Sequence, residues 1–217
     1  MRKSAIFLLF VAFCLTILGL SAQGGIAVSP QTTRTKTETE GKQKPEDSKQ
    51  RPVAKSKVYL LHSDLLRKDA SHPDAQIVTG NVSFRHDSVY MYCDSACYYD
   101  KVSSFEAFGN VKMVQGDTLF LYGDRLYYDG LTQIAEMRCN VRMENRTTTL
   151  LTDSLNYDRV YNLGYFFDGG TLMDEQNVLT SEWGEYSPQT KQSVFNYNVK
   201  LVNPQFTLTS DTLRYNT

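Results

Sequence analysis

An acidic residue recurs along this sequence with a tyrosine four positions after it. The pairs are Asp94 with Tyr98, Asp124 with Tyr128, Asp153 with Tyr157, Glu182 with Tyr186 and Asp211 with Tyr215. Carboxylates invite acid–base chemistry, but a catalytic pair needs two acids facing each other at a set separation. A column that repeats at one structural position offers no such pair. The acids are expected instead to serve a strand bend by bonding local backbone groups. The tyrosines could stack on sugars; amphipathic packing at a sheet rim is the stronger expectation. His62, His72 and His86 can be drawn into triads on paper, yet no nucleophile elbow or phosphate loop accompanies them. Cys93, Cys97 and Cys139 follow the signal region. The first two, on one strand, would stand ~13 Å apart, too far to bridge, while a bridge from Cys139 stays open. A Cys-x-x-x-Cys metal half-site finds no histidine at ligand spacing, and buried free thiols are the expected state. No catalytic residue, no metal and no cofactor is expected, so the protein reads as a non-enzyme.

The chain that must position these residues has 217 of them, with a net charge of −1 and 41% hydrophobic content. Collagen-like, wholly disordered and multi-span membrane classes are excluded by that composition. Arg2 and Lys3 precede an apolar run from Ala5 to Leu20 that closes on small residues, which reads as a secretory signal peptide over residues 1–22. Phe13 ahead of Cys14 speaks against a lipoprotein signal. Residues 23–57 hold eight basic and four acidic side chains and no aromatic. Such a stretch cannot offset its ordering entropy and reads as a flexible polar linker. Residues 58–217 hold 13 basic and 20 acidic residues and every tyrosine. That acidic balance argues against nucleic acid as a partner.

Self-similarity is the strongest signal in the folded part. Gly80-Asn81-Val82-Ser83-Phe84 is echoed by Gly109-Asn110-Val111-Lys112-Met113, Cys139-Asn140-Val141-Arg142-Met143 and Tyr197-Asn198-Val199-Lys200-Leu201, with Gly169-Gly170-Thr171-Leu172 a degenerate copy. The closing apolar residues stand at 84, 113, 143, 172 and 201, and the acid column keeps the same step of 29 or 30. Asp64, 30 residues before Asp94, extends that column backwards, so the folded part reads as half a repeat plus five full ones. Each repeat reads as two strands. Val111 and Met113 alternate with Lys112 and Val114, Gln115-Gly116-Asp117 supplies a turn, and Leu119 and Leu121 alternate with polar and aromatic neighbours. Gly123-Asp124 then interrupts the run as a bulge or bend, after which Leu126 and Tyr128 resume it. These patterns predict about eleven antiparallel strands and almost no helix. One face is apolar, which requires either a sandwich or jelly-roll closing on itself or a stack of repeats.

The pattern Gly-Asn-Val-x-apolar, turn, alternating strand, Asp-x-apolar-x-Tyr resembles the OstA-like family, the LptA-type and LptD N-terminal periplasmic domains of the lipopolysaccharide-transport system. The matching stretches are 78–98, 107–129, 137–158 and 196–215, with 58–66 and 167–186 weaker. The resemblance implies a repeat-built, all-β, antiparallel open β-jelly-roll over residues 58–217. It further implies a periplasmic, non-enzymatic lipid carrier or bridge in lipopolysaccharide transport and outer-membrane assembly, held at the inner face of that membrane through partners. Cys139 at the motif glycine, Gly170 at the motif valine and the acidic balance depart from the family pattern. Val82, Phe84, Val111, Met113, Leu119, Leu121, Val141, Met143 and Leu201 share the apolar face, and the resemblance implies that they line the path of lipid A acyl chains. The uncapped last strand, with Phe206, Leu208, Leu213 and Tyr215, is expected to pair edge to edge with a second copy or another jelly-roll domain. The alternative reading is a structural or adhesive β-repeat domain that binds protein or glycan.

Overall fold

A computed structural model describes residues 56–69 and 72–217. The signal peptide expected over 1–22 and the linker over 23–55 lie outside the described residues. The chain forms β1 (Tyr59–His62), β2 (Leu65–Asp69), β3 (His72–His86), β4 (Val89–Tyr99), a 3-10 turn at Asp100–Val102, β5 (Ser104–Gln115), β6 (Leu119–Asp129), β7 (Ile134–Asn145) and β8 (Thr148–Asp158). There follow β9 (Leu163–Phe166), β10 (Gly170–Asp174), β11 (Asn177–Ser181), β12 (Trp183–Tyr186), β13 (Gln192–Asn203) and β14 (Phe206–Asn216). All fourteen belong to one antiparallel sheet, so the all-β, antiparallel reading holds. The count differs from about eleven because three long strands are broken. β1 and β2 both pair with β3, β9 and β10 both with β8, and β11 and β12 both with β13. The breaks fall at Asp64, at Asp168-Gly169 and at Glu182, on the two repeat columns. Counting each broken strand once leaves eleven.

Every long strand bends at the same level. Between β5 and β6 the pairs run Phe108 with Arg125 and then Val111 with Gly123, so Gly109-Asn110 opposes Asp124 alone. The same two-against-one bulge sets Gly80-Asn81 against Asp94, Cys139-Asn140 against Asp153 and Tyr197-Asn198 against Asp211. Both motif residues are left-handed each time, with φ from 47° to 79°. A glycine in the first position meets that demand at no steric cost. The bulge also resets side-chain alternation. Leu121 and Leu126 are five residues apart, an odd step, yet both are buried.

The aligned bends fold the meander along a spine into two facing leaves. Leaf 1 comprises segments 59–62, 82–93, 111–123, 141–152, 170–181 and 199–210. Leaf 2 comprises 65–69, 72–79, 95–108, 125–138, 154–166, 183–196 and 212–216. The chain alternates between leaves hairpin by hairpin, which is the structural meaning of the 29-residue period. Ring contacts join the leaves: Phe84 of leaf 1 stacks on Phe105 of leaf 2 at 4.1 Å between centroids and meets Tyr98 of leaf 2 at 5.4 Å. One continuous apolar core runs between them.

Candidate functional site

The acid column turns outward at the spine. Its partner is the motif asparagine of the next long strand: the Nδ2 of Asn81 donates to Asp64 at 3.0 Å and that of Asn110 to Asp94 at 2.8 Å. Asn140 binds Asp124 and Asn198 binds Glu182 in the same way. The expectation that the acids bond local backbone groups is corrected in kind. Only Asp153 takes a backbone partner of the sort expected, the N–H of Asn140 at 3.2 Å; its own motif asparagine is replaced by Gly169. Two left-handed residues aim the amide across the bulge, so the side chain reaches the carboxylate first. These acids are therefore structural clasps.

The nine apolar residues assigned by the repeat all lie in leaf 1 and face the interior, between 0 and 6% exposed. The opposite wall comes from leaf 2. Tyr98, Phe105, Leu126, Tyr128, Met137, Leu155, Tyr157, Phe166, Tyr186 and Phe195 are buried there. The sequence pattern missed most of this wall because its parity changes at the bulge; the acid-to-tyrosine spacing was the signal that pointed to it.

Opposite the spine, the two leaves meet along a polar rim. Each tyrosine of the column sits in leaf 2 and reaches across to leaf 1 or to the segment before it. Tyr98 donates its hydroxyl to the Val58 carbonyl at 2.7 Å. The Tyr128 hydroxyl lies 2.7 Å from His86 Nδ1 and also accepts from Arg159. Tyr157 donates to Asn162 Oδ1, which accepts from Gln115 at 2.9 Å. Tyr186 accepts from Asn145 at 3.0 Å. Tyr215 accepts from Asn177 at 2.9 Å and donates to Asp174 at 3.0 Å. The leaf 1 partners His86, Gln115, Asn145 and Asp174 form a further column, each two positions beyond a closing apolar residue. That column was readable in the sequence as a recurring polar residue at one fixed offset.

Burial keeps the phenols of Tyr98, Tyr128 and Tyr157 protonated. Tyr128 is pushed up to about 12, and Tyr98 and Tyr157 higher, in each case first by desolvation. His86 is fully buried, with Ser56 Oγ 2.7 Å from its Nε2. Burial, and next the Arg159 guanidinium, hold its pKa below the ordinary value.

Cys93, Cys97 and Cys139 are free thiols. Burial raises Cys93 to about 12, which leaves it unreactive. Cys139 departs from the buried state expected of it: it occupies the motif glycine position on the outer bend and is exposed. Among the described residues no group of three His, Cys, Asp or Glu side chains is placed to hold a metal ion.

The sheet ends are apolar. β14 pairs with β13 alone, and Phe206 and Leu208 are 49% and 39% exposed. Leu213 and Tyr215 pack partly against the core. At the other end Leu61, Leu65 and Leu66 are about half exposed. A search of curated proteins finds no match for this chain. The OstA-like protein family matches residues 55–211, from just before β1 into β14. That span takes in the spine, both leaves and the rim, and the chain belongs to the OstA-like family.

Proposed function

We propose that the protein is a non-enzymatic carrier of lipid acyl chains, acting in lipopolysaccharide transport to the outer membrane. What supports this reading is membership of the OstA-like family together with a continuous apolar interior, which is closed in this structure and has to open at the rim to admit a ligand. A single apolar core runs the length of the sheet, covalently continuous along the spine but fastened at the rim only by side-chain bonds. The neutral bonds among these are each worth about 1 kcal/mol net, and those to Arg159 and Asp174 about 1.5–3 kcal/mol, so the rim rather than the covalent spine is the side on which the leaves can part. Acyl chains then replace leaf-to-leaf contacts such as the Phe84–Phe105 stack. The nine leaf 1 residues line their path, and the head group stays in solvent.

In this reading residues 1–22 direct export to the periplasm and residues 23–57 tether the domain. The domain acts beneath the outer membrane through partners. The free edge of β14 joins a second copy or a related jelly-roll domain and continues the apolar path. A photo-crosslinker at Met113, inside leaf 1, should capture co-purifying lipid identified by mass spectrometry. The same probe at Lys112, on the outer face, should not. Equal capture at both positions, or at neither, refutes the carrier.

A further inference from the structure

We propose that the outer face of leaf 1 is a binding surface for an anionic glycan. The proposal does not rest on lipid carriage, which concerns the inner face of the same strands. Across β1 and β3–β7 the register sets Tyr59 beside Arg85 and Arg85 beside Tyr90. One row nearer the bend it sets Tyr92, Lys112, Tyr122 and Arg142 side by side. Aromatic and cation alternate from strand to strand. The cations lie against the rings: Arg85 is 5.9 Å from the Tyr59 centroid, Lys112 is 5.5 Å from Phe120 and 5.6 Å from Tyr122, and Arg142 is 4.4 Å from Tyr122. Tyr59, Tyr90 and Tyr92 are 52%, 39% and 43% exposed.

The charge is concentrated there. Between the turns and the bend, the acid on this part of the face is Glu144, held by Arg142 at 2.8 Å. Residues 58–217 as a whole are acidic, with 20 acids against 13 bases. Beyond β7 the same face changes character, to Thr149, Leu151, Thr171 and Met173. The aromatic–cation pattern is therefore a patch.

Adjacent strands are about 4.8 Å apart, so the two staggered rows, three strands from Tyr59 to Tyr90 and four from Tyr92 to Arg142, are about 10 Å and about 14 Å long and together cross the six strands. A pyranose chain laid along them offers C–H faces to the exposed tyrosine rings. Its carboxylate or sulfate groups meet the arginines and lysine between them. An acidic polypeptide answers the charge but brings no flat ring face to most tyrosines. A nucleic acid brings rings and charge, but its continuous phosphate backbone meets the aspartates that bound the patch at the turns, Asp87 and Asp117, and at the bend, Asp94 and Asp124.

The test is affinity electrophoresis of the full chain in gels containing polygalacturonate, neutral dextran, polyglutamate or oligothymidylate. Polygalacturonate should retard the protein most. Tyr92→Ala combined with Tyr122→Ala should weaken that retardation about tenfold, and Lys112→Gln should weaken it and flatten its salt dependence. Lys112→Arg should retain it. Thermal melts verify that each variant is folded, and Tyr92→Leu alone serves if the double variant is not. Equal retardation by dextran overturns the role of charge. Equal retardation by polyglutamate or oligothymidylate overturns the choice of ligand. No retardation by polygalacturonate overturns the proposal altogether. Lipid capture at Met113 is unchanged by any of these results.

Discussion

Gly109 holds a left-handed φ of 74° directly opposite Asp94, and a Cβ there would stand 2.5 Å from the carboxylate Oδ2. The carboxylate can swing aside, so the lasting cost of Gly109→Ala is the left-handed backbone, about 1–2 kcal/mol. Cys139 and Tyr197 take the same conformation with φ of 63° and 66°, which shows that the fold tolerates it. Chemical denaturation of Gly109→Ala should show that loss; an unchanged midpoint would mean the bulge does not need the glycine. His86 gives a second prediction at this scale. It is held neutral by burial and Arg159, with Asp87 pulling the other way. The folded pKa lies below the ordinary 6.5, so the unfolded chain binds the extra proton as pH falls past that value. Stability contributed by neutral His86 is fully present above 6.5 and declines below it until the folded pKa is reached. His86→Gln should remove that part of the slope below pH 6.5. Parallel wild-type and variant profiles would show that His86 is not the titrating group.

A long strand here is a hinged object, and its two halves serve different leaves. The spine clasp fixes the bend, and the rim tyrosine fixes how far the halves close. The rim bonds differ in what their loss would leave behind. Tyr128→Phe deprives buried His86 and Arg159 of a shared partner, at a cost of about 1–3 kcal/mol. Tyr186→Phe is milder, about 1 kcal/mol, because Asn145 keeps its bond to the Pro188 carbonyl at 3.1 Å. Denaturant midpoints should rank the two in that order. Neutral outcomes for both would show that the rim is not a fastening. The same ranking should appear in lipid capture at Met113, where the looser rim takes up lipid faster.

The described residues form a folded sheet whose strand order has two unlike, apolar ends, β1–β2 and β14. Joining β14 of one copy to the β1–β2 edge of the next is a head-to-tail contact. Such contacts give open chains that lengthen with concentration. Sedimentation should therefore show a concentration-dependent series without a closed dimer. Leu208→Lys should shorten it, since a charge on an edge strand discourages pairing. A wild-type chain that stays monomeric throughout, and binds no related domain, would defeat the bridge while leaving lipid binding intact.

Much of this architecture is one-dimensional information. The 29-residue period, the alternation of Val111 and Met113 with Lys112, and the recurrence of Gly-Asn opposite a lone acid fixed strands, bends and the leaf 1 face, because each depends on neighbours a few residues away. The alternation placed Leu126 and Tyr128 on one face with Leu121, and all three are buried, but it could not show that the intervening bulge changes the parity and carries them to the opposite leaf. Nor could it show that the asparagine and acid columns clasp each other, or that Tyr128, Tyr186 and Tyr215 fasten the opposite leaf. The clasps join residues 16 or 17 positions apart, and the rim bonds residues some 40 apart through partners of changing type: an imidazole, an amide, a carboxylate. The spacing of the columns was set by the chain, but their pairing was decided by the fold, when the aligned bends brought the rims of two leaves within hydrogen-bonding distance.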